Sequence, residues 1–258
     1  MIRVYNKREI EKIRSACRIV GDALDFVGEL IRPGITTTEI DIELERFIRG
    51  CGARPAFKGI MGDGPLPFPA SGCYSVDKVV VHGFPSEREL EAGEIIGVDV
   101  GSEIEGYYGD AARTFAVGEV NFDKIRLIQT AEDGFWKGVE YARAGNRLGD
   151  ISHHIQKLVE GRGFSVVRAL VGHGIGKNLH EEPQIPNFGR AKTGPLLQEG
   201  MVFAIEPMVN AGVYDVEILE DGWTVVTADG KPSAHYENTL VITAHGPEIL
   251  TLSRDLKK

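Results

Sequence analysis

Shifting the sequence against itself by 111 positions superimposes Arg32, Gly34, Ile40, Leu44, Phe47, Ile48, Gly50 and Gly52 on Arg143, Gly145, Ile151, Ile155, Leu158, Val159, Gly161 and Gly163. Glycine stops and apolar stripes recur in unrelated helices. Here the preceding segment matches loosely too: Ile125, Ile128, Phe135 and Val139 lead into Arg143 much as Val20, Leu24 and Val27 lead into Arg32. A unit of about 110 residues used twice is the expectation, giving one domain over 1–258 built from pseudo-symmetric halves at about 1–118 and 119–258.

Each half opens with helical patterning. Ile10, Ile13, Cys17, Val20, Leu24, Val27 and Ile31 recur at three- and four-residue spacing, which predicts an amphipathic helix over Lys7–Ile31 closed by Pro33-Gly34. Thr36 and Glu39 have capping-box spacing before a second helix that Gly50 and Gly52 terminate. The pattern then turns extended. Strands are expected over Lys78–Val81, Ile95–Val100 and Tyr107–Val117, with Gly101–Gly106 as a loop, and again over Ser165–Leu170, Met201–Ile205, Trp223–Thr227 and Glu237–Thr243. Helices segregated from strands favour an α+β fold with mainly antiparallel sheet over an alternating βαβ wind. Gly172–Gly176 lacks the spacing of a dinucleotide fingerprint, so that class is set aside.

Composition narrows the partners. Lysine and arginine total 29 against 38 acidic residues, a balance of −9 that disfavours nucleic acid, which needs a basic face. No apolar run reaches the ~18 residues of a membrane span, and Met1–Lys12 has no hydrophobic signal region. Cys17, Cys51 and Cys73 are odd in number and far apart, so they suit neither a disulfide framework nor a thiolate zinc site. A cytoplasmic protein is expected.

Four acidic residues interrupt apolar strands. Asp99 lies in Ile96-Gly97-Val98-Asp99-Val100, and Asp110 follows on the expected antiparallel neighbour, where hairpin pairing brings the carboxylates together. Glu206 ends Met201–Ile205, and Glu237 opens Asn238–Val241. An isolated buried carboxylate costs several kcal/mol, on the order of 3–5 when its partner is missing, so side-by-side anions need a cation between them. With His173 in Gly172-His173-Gly174 they form a hard, oxygen-rich set suited to two divalent ions. Their charge of +4 balances four carboxylates and leaves a bridging water easily deprotonated.

With these motifs in place, the chain resembles type I methionine aminopeptidases of peptidase family M24 over nearly its whole length. The matches are Val81-His82-Gly83-Phe84-Pro85, Val98-Asp99-Val100, Gly109-Asp110, Gly172-His173-Gly174-Ile175-Gly176, His180-Glu181-Glu182-Pro183, Ile205-Glu206-Pro207-Met208 and Tyr236-Glu237-Asn238-Thr239. The resemblance implies the pita-bread fold, with the sheets of two related halves around a central dinuclear site. It implies that Asp99 chelates one metal, His173 and Glu206 the other, and that Asp110 and Glu237 bridge both. It sets His82 near the substrate amide and His180 beside its carbonyl, with Glu206 as proton shuttle. Phe68, Cys73, Leu179 and Trp223 would line a methionine pocket. The implied reaction removes the N-terminal methionine of nascent proteins and peptides when the second residue is small, by attack of a hydroxide bridging the metals. The metals are left among Co, Mn, Fe and Zn, a monomer is expected, and transient ribosome contact is left open.

Two departures stand out. The run Gly59–Pro67 is longer than the family's usual loop and lacks its tyrosines, and Asp77 stands where asparagine is common beside a monovalent-cation site. His153, His154 and His245 have no comparable motif and are expected to be solvated, while His235, two positions before Glu237, is undecided. The rival enzymes are prolidase and aminopeptidase P, which carry a large N-terminal domain, whereas 98 residues precede Asp99. The rival from another class is a catalytically silent binding homologue, which typically loses ligands.

Overall fold

The computed structural model describes residues 2–62 and 66–252. Four long helices alternate in pairs with antiparallel strands. Helix α1, Lys7–Leu30, starts at Asn6, whose side chain accepts from the Arg8 and Glu9 amides, and buries the predicted stripe of Ile13, Cys17, Val20, Leu24 and Val27. Helix α2, Thr37–Gly50, carries the Thr36–Glu39 capping box. After α3, Phe122–Val139, comes α4, Leu148–Gly161, whose two ends lie 111 positions beyond those of α2. The offset persists in the backbone: Gly34 and Gly145 have φ of 87° and 93°, and Gly52 and Gly163 have 77° and 84°. These left-handed positions stop the chain on either side of each helix, and they suit glycine because it has no Cβ to clash.

Among the described residues all strand pairs are antiparallel. One sheet places Ile95–Ile104 between Arg54–Pro55 and Gly72–Val76 and also pairs it with Tyr107–Ala116. A five-stranded sheet runs Gly246–Ile249, Asn238–Thr243, Val202–Ile205, Val171–Gly174, Glu181–Pro186. Two three-stranded sheets complete the frame, one of Ser233–His235, Met208–Asn210 and Ser165–Val166, the other of Val216–Ile218, Val225–Thr227 and Val79–Val81. Each helix pair covers one large sheet: Val20, Leu24, Ile40 and Leu44 pack on Ile96, Val98 and Val100, while Phe135, Ile151 and Ile155 pack on Phe203, Ile205 and Leu240. A third apolar layer lies between the sheets and includes Cys17, Phe68, Cys73, Leu179, Ala204 and Val241.

The α+β arrangement with antiparallel sheet matches the expectation, and three local assignments change. Gly101–Ile104 is strand, not loop, because Glu105 and Gly106 both take positive φ (53° and 77°), closing a two-residue hairpin turn that leaves ten residues paired on each arm. Ser165–Leu170 is strand only through Val166. The chain then leaves the sheet of Met208–Asn210 and enters the five-stranded one at Val171. The strand expected from Trp223 begins at Val225, since Asp221 holds the Trp223 and Thr224 amides in a turn at 2.8 Å each. The short strands Met208–Asn210 and Ser233–His235 have no alternation from which to be read.

The two large sheets meet along one seam. Ala112 and Glu237 exchange backbone hydrogen bonds of 3.3 and 2.9 Å, and the Thr239 hydroxyl accepts from the Asp110 amide and donates to its carbonyl. The Arg113 guanidinium donates to the Glu237 carbonyl (2.5 Å) and the Asn238 side chain (2.6 Å), and lies over the Tyr236 ring. Helix α1 crosses this hairpin at Gly109, where a Cβ would fall 2.6 Å from the Cys17 backbone nitrogen. Gly109→Ala is therefore expected to destabilise the fold by about 1–3 kcal/mol through overpacking. Gly50→Ala, which meets nothing within 4 Å, should be neutral or slightly stabilising. Denaturant unfolding of the two variants beside the parent protein measures both.

Candidate metal centre and its pocket

Antiparallel register decides where the first two acids point. Asp99 lies opposite Ala112 on one side and Cys73 on the other, and Asp110 lies opposite Gly101. Asp99 and Asp110 are thus diagonal neighbours on one face of the hairpin, within reach of each other. Glu237 leaves the seam beside Ala112, and Glu206 follows the end of Val202–Ile205. His173 lies next to Gly174, where a Cβ would meet the Glu182 carbonyl oxygen at 2.3 Å, so the close strand approach requires glycine beside this imidazole.

All eleven residues expected at the site line one pocket: Asp99, Asp110, His173, Glu206 and Glu237 at its polar end, with His82, His180, Phe68, Cys73, Leu179 and Trp223 around the rest. Phe57 and Ile60, which the sequence did not single out, complete the apolar wall. The space left among these residues is about 480 Å³, part of it open to solvent. Edge-on aromatic contacts shape the apolar side, with Phe68 at 5.4 Å from Phe84 and 5.2 Å from Trp223 between ring centres. The Trp223 indole N–H donates to the Leu66 carbonyl, tying this wall to the Gly59–Pro67 loop, of which residues 63–65 lie outside the described residues.

The polar end carries an electrostatic debt. Burial raises the pKa of Asp99 to about 7 and those of Asp110, Glu206 and Glu237 well above the carboxylate range, and the neighbouring carboxylates push the last three further. One oxygen each of Asp99, Asp110 and Glu237 is buried without a hydrogen-bond partner. His173 is neutral, its pKa lowered to about 3 by burial and by His180. With its Nδ1 3.0 Å from the Gly174 carbonyl, the proton is assigned there. The Nε2 lone pair then faces Glu206 at 3.6 Å and Asp110 at 3.9 Å. A lone pair aimed at carboxylate oxygens is repulsive unless a cation lies between them. Two triads of donor atoms, Asp110/His173/Glu237 and Asp99/His235/Glu237, each lie within 4.8 Å of one another, and Glu237 belongs to both. The residues fit divalent metal.

The two rim histidines are held differently. His82 ends the strand Val79–Val81 with φ of 59°, an unfavourable backbone for a non-glycine residue that costs on the order of 1–3 kcal/mol. Its ring meets Trp223 edge-on at 6.1 Å, and burial lowers its pKa to about 4. His180 reaches solvent at the mouth, although the surrounding protein lowers its pKa, and stacks edge-on with His173 at 4.5 Å. Its turn is anchored by Glu181, which accepts from the Asn178 amide and the Tyr5 hydroxyl. His235, undecided from sequence, proves to be buried among the acids, its Nε2 3.7 Å from Glu206 and 3.6 Å from Glu237. Its position two residues before Glu237 was the available signal. Asp77 lies outside the pocket, its carboxylate accepting from Lys124 (2.6 Å) and the Ile95 amide (3.1 Å).

A carboxyl whose pKa is raised by folding holds its proton more tightly in the folded state, so its contribution to stability falls as pH rises from the unfolded value toward the folded one. For Asp99 that window runs from about 4 to about 7. Metal-free protein should lose melting temperature between about pH 5 and 7. Asp99→Asn should flatten the slope, and divalent metal should raise the melting temperature most at the upper end. Thermal melts at several pH values, with and without chelator, test this.

The comparisons agree with this chemistry. The model of metallopeptidase family M24 matches residues 11–244. A methionine aminopeptidase of Clostridium perfringens (strain 13 / Type A) is 55% identical over 98% of this chain and 99% of its own. Methionine aminopeptidase 1 of Bacillus subtilis (strain 168) is 48% identical over 97% and 99%. The crystal structure of methionine aminopeptidase from Rickettsia prowazekii superimposes with a TM-score of 0.94, at 41% identity over 98% of this chain and 100% of that one. The fold is the pita-bread arrangement that the sequence resemblance implied. The chain belongs to metallopeptidase family M24 and, within it, to the methionine aminopeptidases.

Proposed function

We propose that this chain hydrolyses the peptide bond after an N-terminal methionine, with the centre described above holding two divalent ions. The observation that carries the reading is the meeting of four acids and a neutral imidazole at one end of a pocket whose other walls are Phe57, Ile60, Phe68, Cys73, Leu179 and Trp223. Divalent metal use follows from the M24 family together with the donor cluster. When bound, such ions polarise a carbonyl and lower the pKa of a ligated water to near 7. The ligands are Asp99, Asp110, His173, Glu206 and Glu237.

The chain's own side chains supply the rest. The apolar walls admit a long, flexible thioether side chain and exclude water from it. Glu206, at the polar end of the pocket, is the proton shuttle that the resemblance implies: its carboxylate would accept a proton from the attacking water and pass it to the departing amine. His180, at the mouth, donates toward the oxygen on which negative charge develops, and His82 faces the scissile amide nitrogen. The metals and the two histidines would crowd the position of the substrate's second residue and so limit it to small side chains. The substrates are nascent polypeptides in the cytoplasm, and the chain acts as a monomer. Among the described residues no helix is long and apolar enough to cross a membrane.

Purified protein loaded with Co²⁺ or Mn²⁺ should release methionine from Met-Ala-Ser and not from Met-Leu-Ser, and release from neither with metal bound would overturn the reading. Asp110→Ala should lose at least one ion by elemental analysis together with nearly all turnover. His82→Ala and His180→Ala should retain full metal content while kcat falls about 10²–10³-fold.

A further inference from the structure

We infer that His235 is a sixth protein ligand of the metal centre, binding through Nε2 the ion that Asp99 and Glu237 hold. The inference rests on the metal-centre reading above and adds to it a donor that the five-residue set does not include. His235 is 3% exposed, and its Nε2 is buried with no hydrogen-bond partner. It points at two acids without bonding to either: 3.7 Å to Glu206 and 3.6 Å to Glu237 exceed hydrogen-bond length. Two atoms bound to one ion at ~2.1 Å stand about 3.0–3.4 Å apart, so the separation suits co-ligands with a slight contraction. Nε2 also lies within 4.8 Å of Asp99 and Glu237 donor atoms that lie equally near each other.

The backbone fixes this orientation. His235 pairs with Met208 in its sheet, and its amide and carbonyl both engage the Thr114 hydroxyl at 2.9 Å. Residue 235 is thereby clamped to the strand that carries Asp110. With His173 on the other triad, each ion receives one imidazole, and the ion at Asp99 changes from an all-oxygen site to a mixed nitrogen and oxygen one. By ligand softness that site then favours Co, Zn or Fe over Mg or Ca.

The test is proton NMR of Co²⁺-loaded protein, in which the ring N–H of each cobalt-bound imidazole gives an exchangeable, paramagnetically shifted resonance. Two such resonances are expected, with one missing in His235→Gln. The variant keeps an amide able to bond a carboxylate, and its affinity for the weaker-bound Co²⁺ should fall at least ~10-fold in equilibrium dialysis. A single resonance in the parent protein, with two ions bound and unchanged dialysis of the variant, would overturn this assignment and leave the five-ligand centre standing. Absence of Co²⁺ binding altogether would overturn both.

Discussion

Reciprocal backbone bonds between Ala112 and Glu237 are the constraint on which the remainder of the site depends. They join the hairpin of one half to the strand edge of the other at the level where Asp110 and Glu237 turn inward. Thr239 and Arg113 reinforce the same joint, the first by bonding both backbone groups of Asp110, the second by spanning Ala112, Glu237 and Asn238. Neither half alone carries all the acids. Because the joint consists of main-chain bonds, the acids are set by strand register, which moves only in steps of whole residues.

Register also explains why the cluster survives its own repulsion. Hydrophobic packing on the outer faces of both sheets holds the strands in place regardless of what the inner faces carry, since Val98 and Val100 anchor one side of the strand on which Asp99 faces the other. The apolar helices supply the stability that the polar interior lacks, and a divalent cation would partner the buried oxygens of Asp99, Asp110 and Glu237 that have no hydrogen-bond partner. Arg113 offsets a part of this charge from behind, its guanidinium packed on Tyr236 and bonded to the carbonyl of Glu237.

Much of this was legible in the sequence because two of its signals are strong. Acids inside apolar strands violate the usual pattern, and the four violations, at 99, 110, 206 and 237, all line one pocket. The 111-residue offset survives as matched helix boundaries and matched left-handed glycines. What escaped was set by long-range pairing. The strands Gly72–Val76 and Ser233–His235 exist because distant partners complete their hydrogen bonds, and nothing local announces them. His235 stayed undecided for the same reason: its direction depends on Thr114, 121 residues away. Phe57 and Ile60 resemble ordinary core residues until the pocket is assembled around them.

Trp223 divides the labour of the cleft. Its ring borders the apolar wall, and its indole N–H is committed to the backbone of the Gly59–Pro67 loop, which also approaches it so closely at Gly62 that a Cβ there would stand 2.7 Å from the ring. The acids, by contrast, are fixed by β-sheet that the described residues of the loop do not join. The described part of that loop therefore bears on the apolar wall while the acids rest on sheet, so the two ends of the cleft are anchored independently and a change at one leaves the other's footing in place.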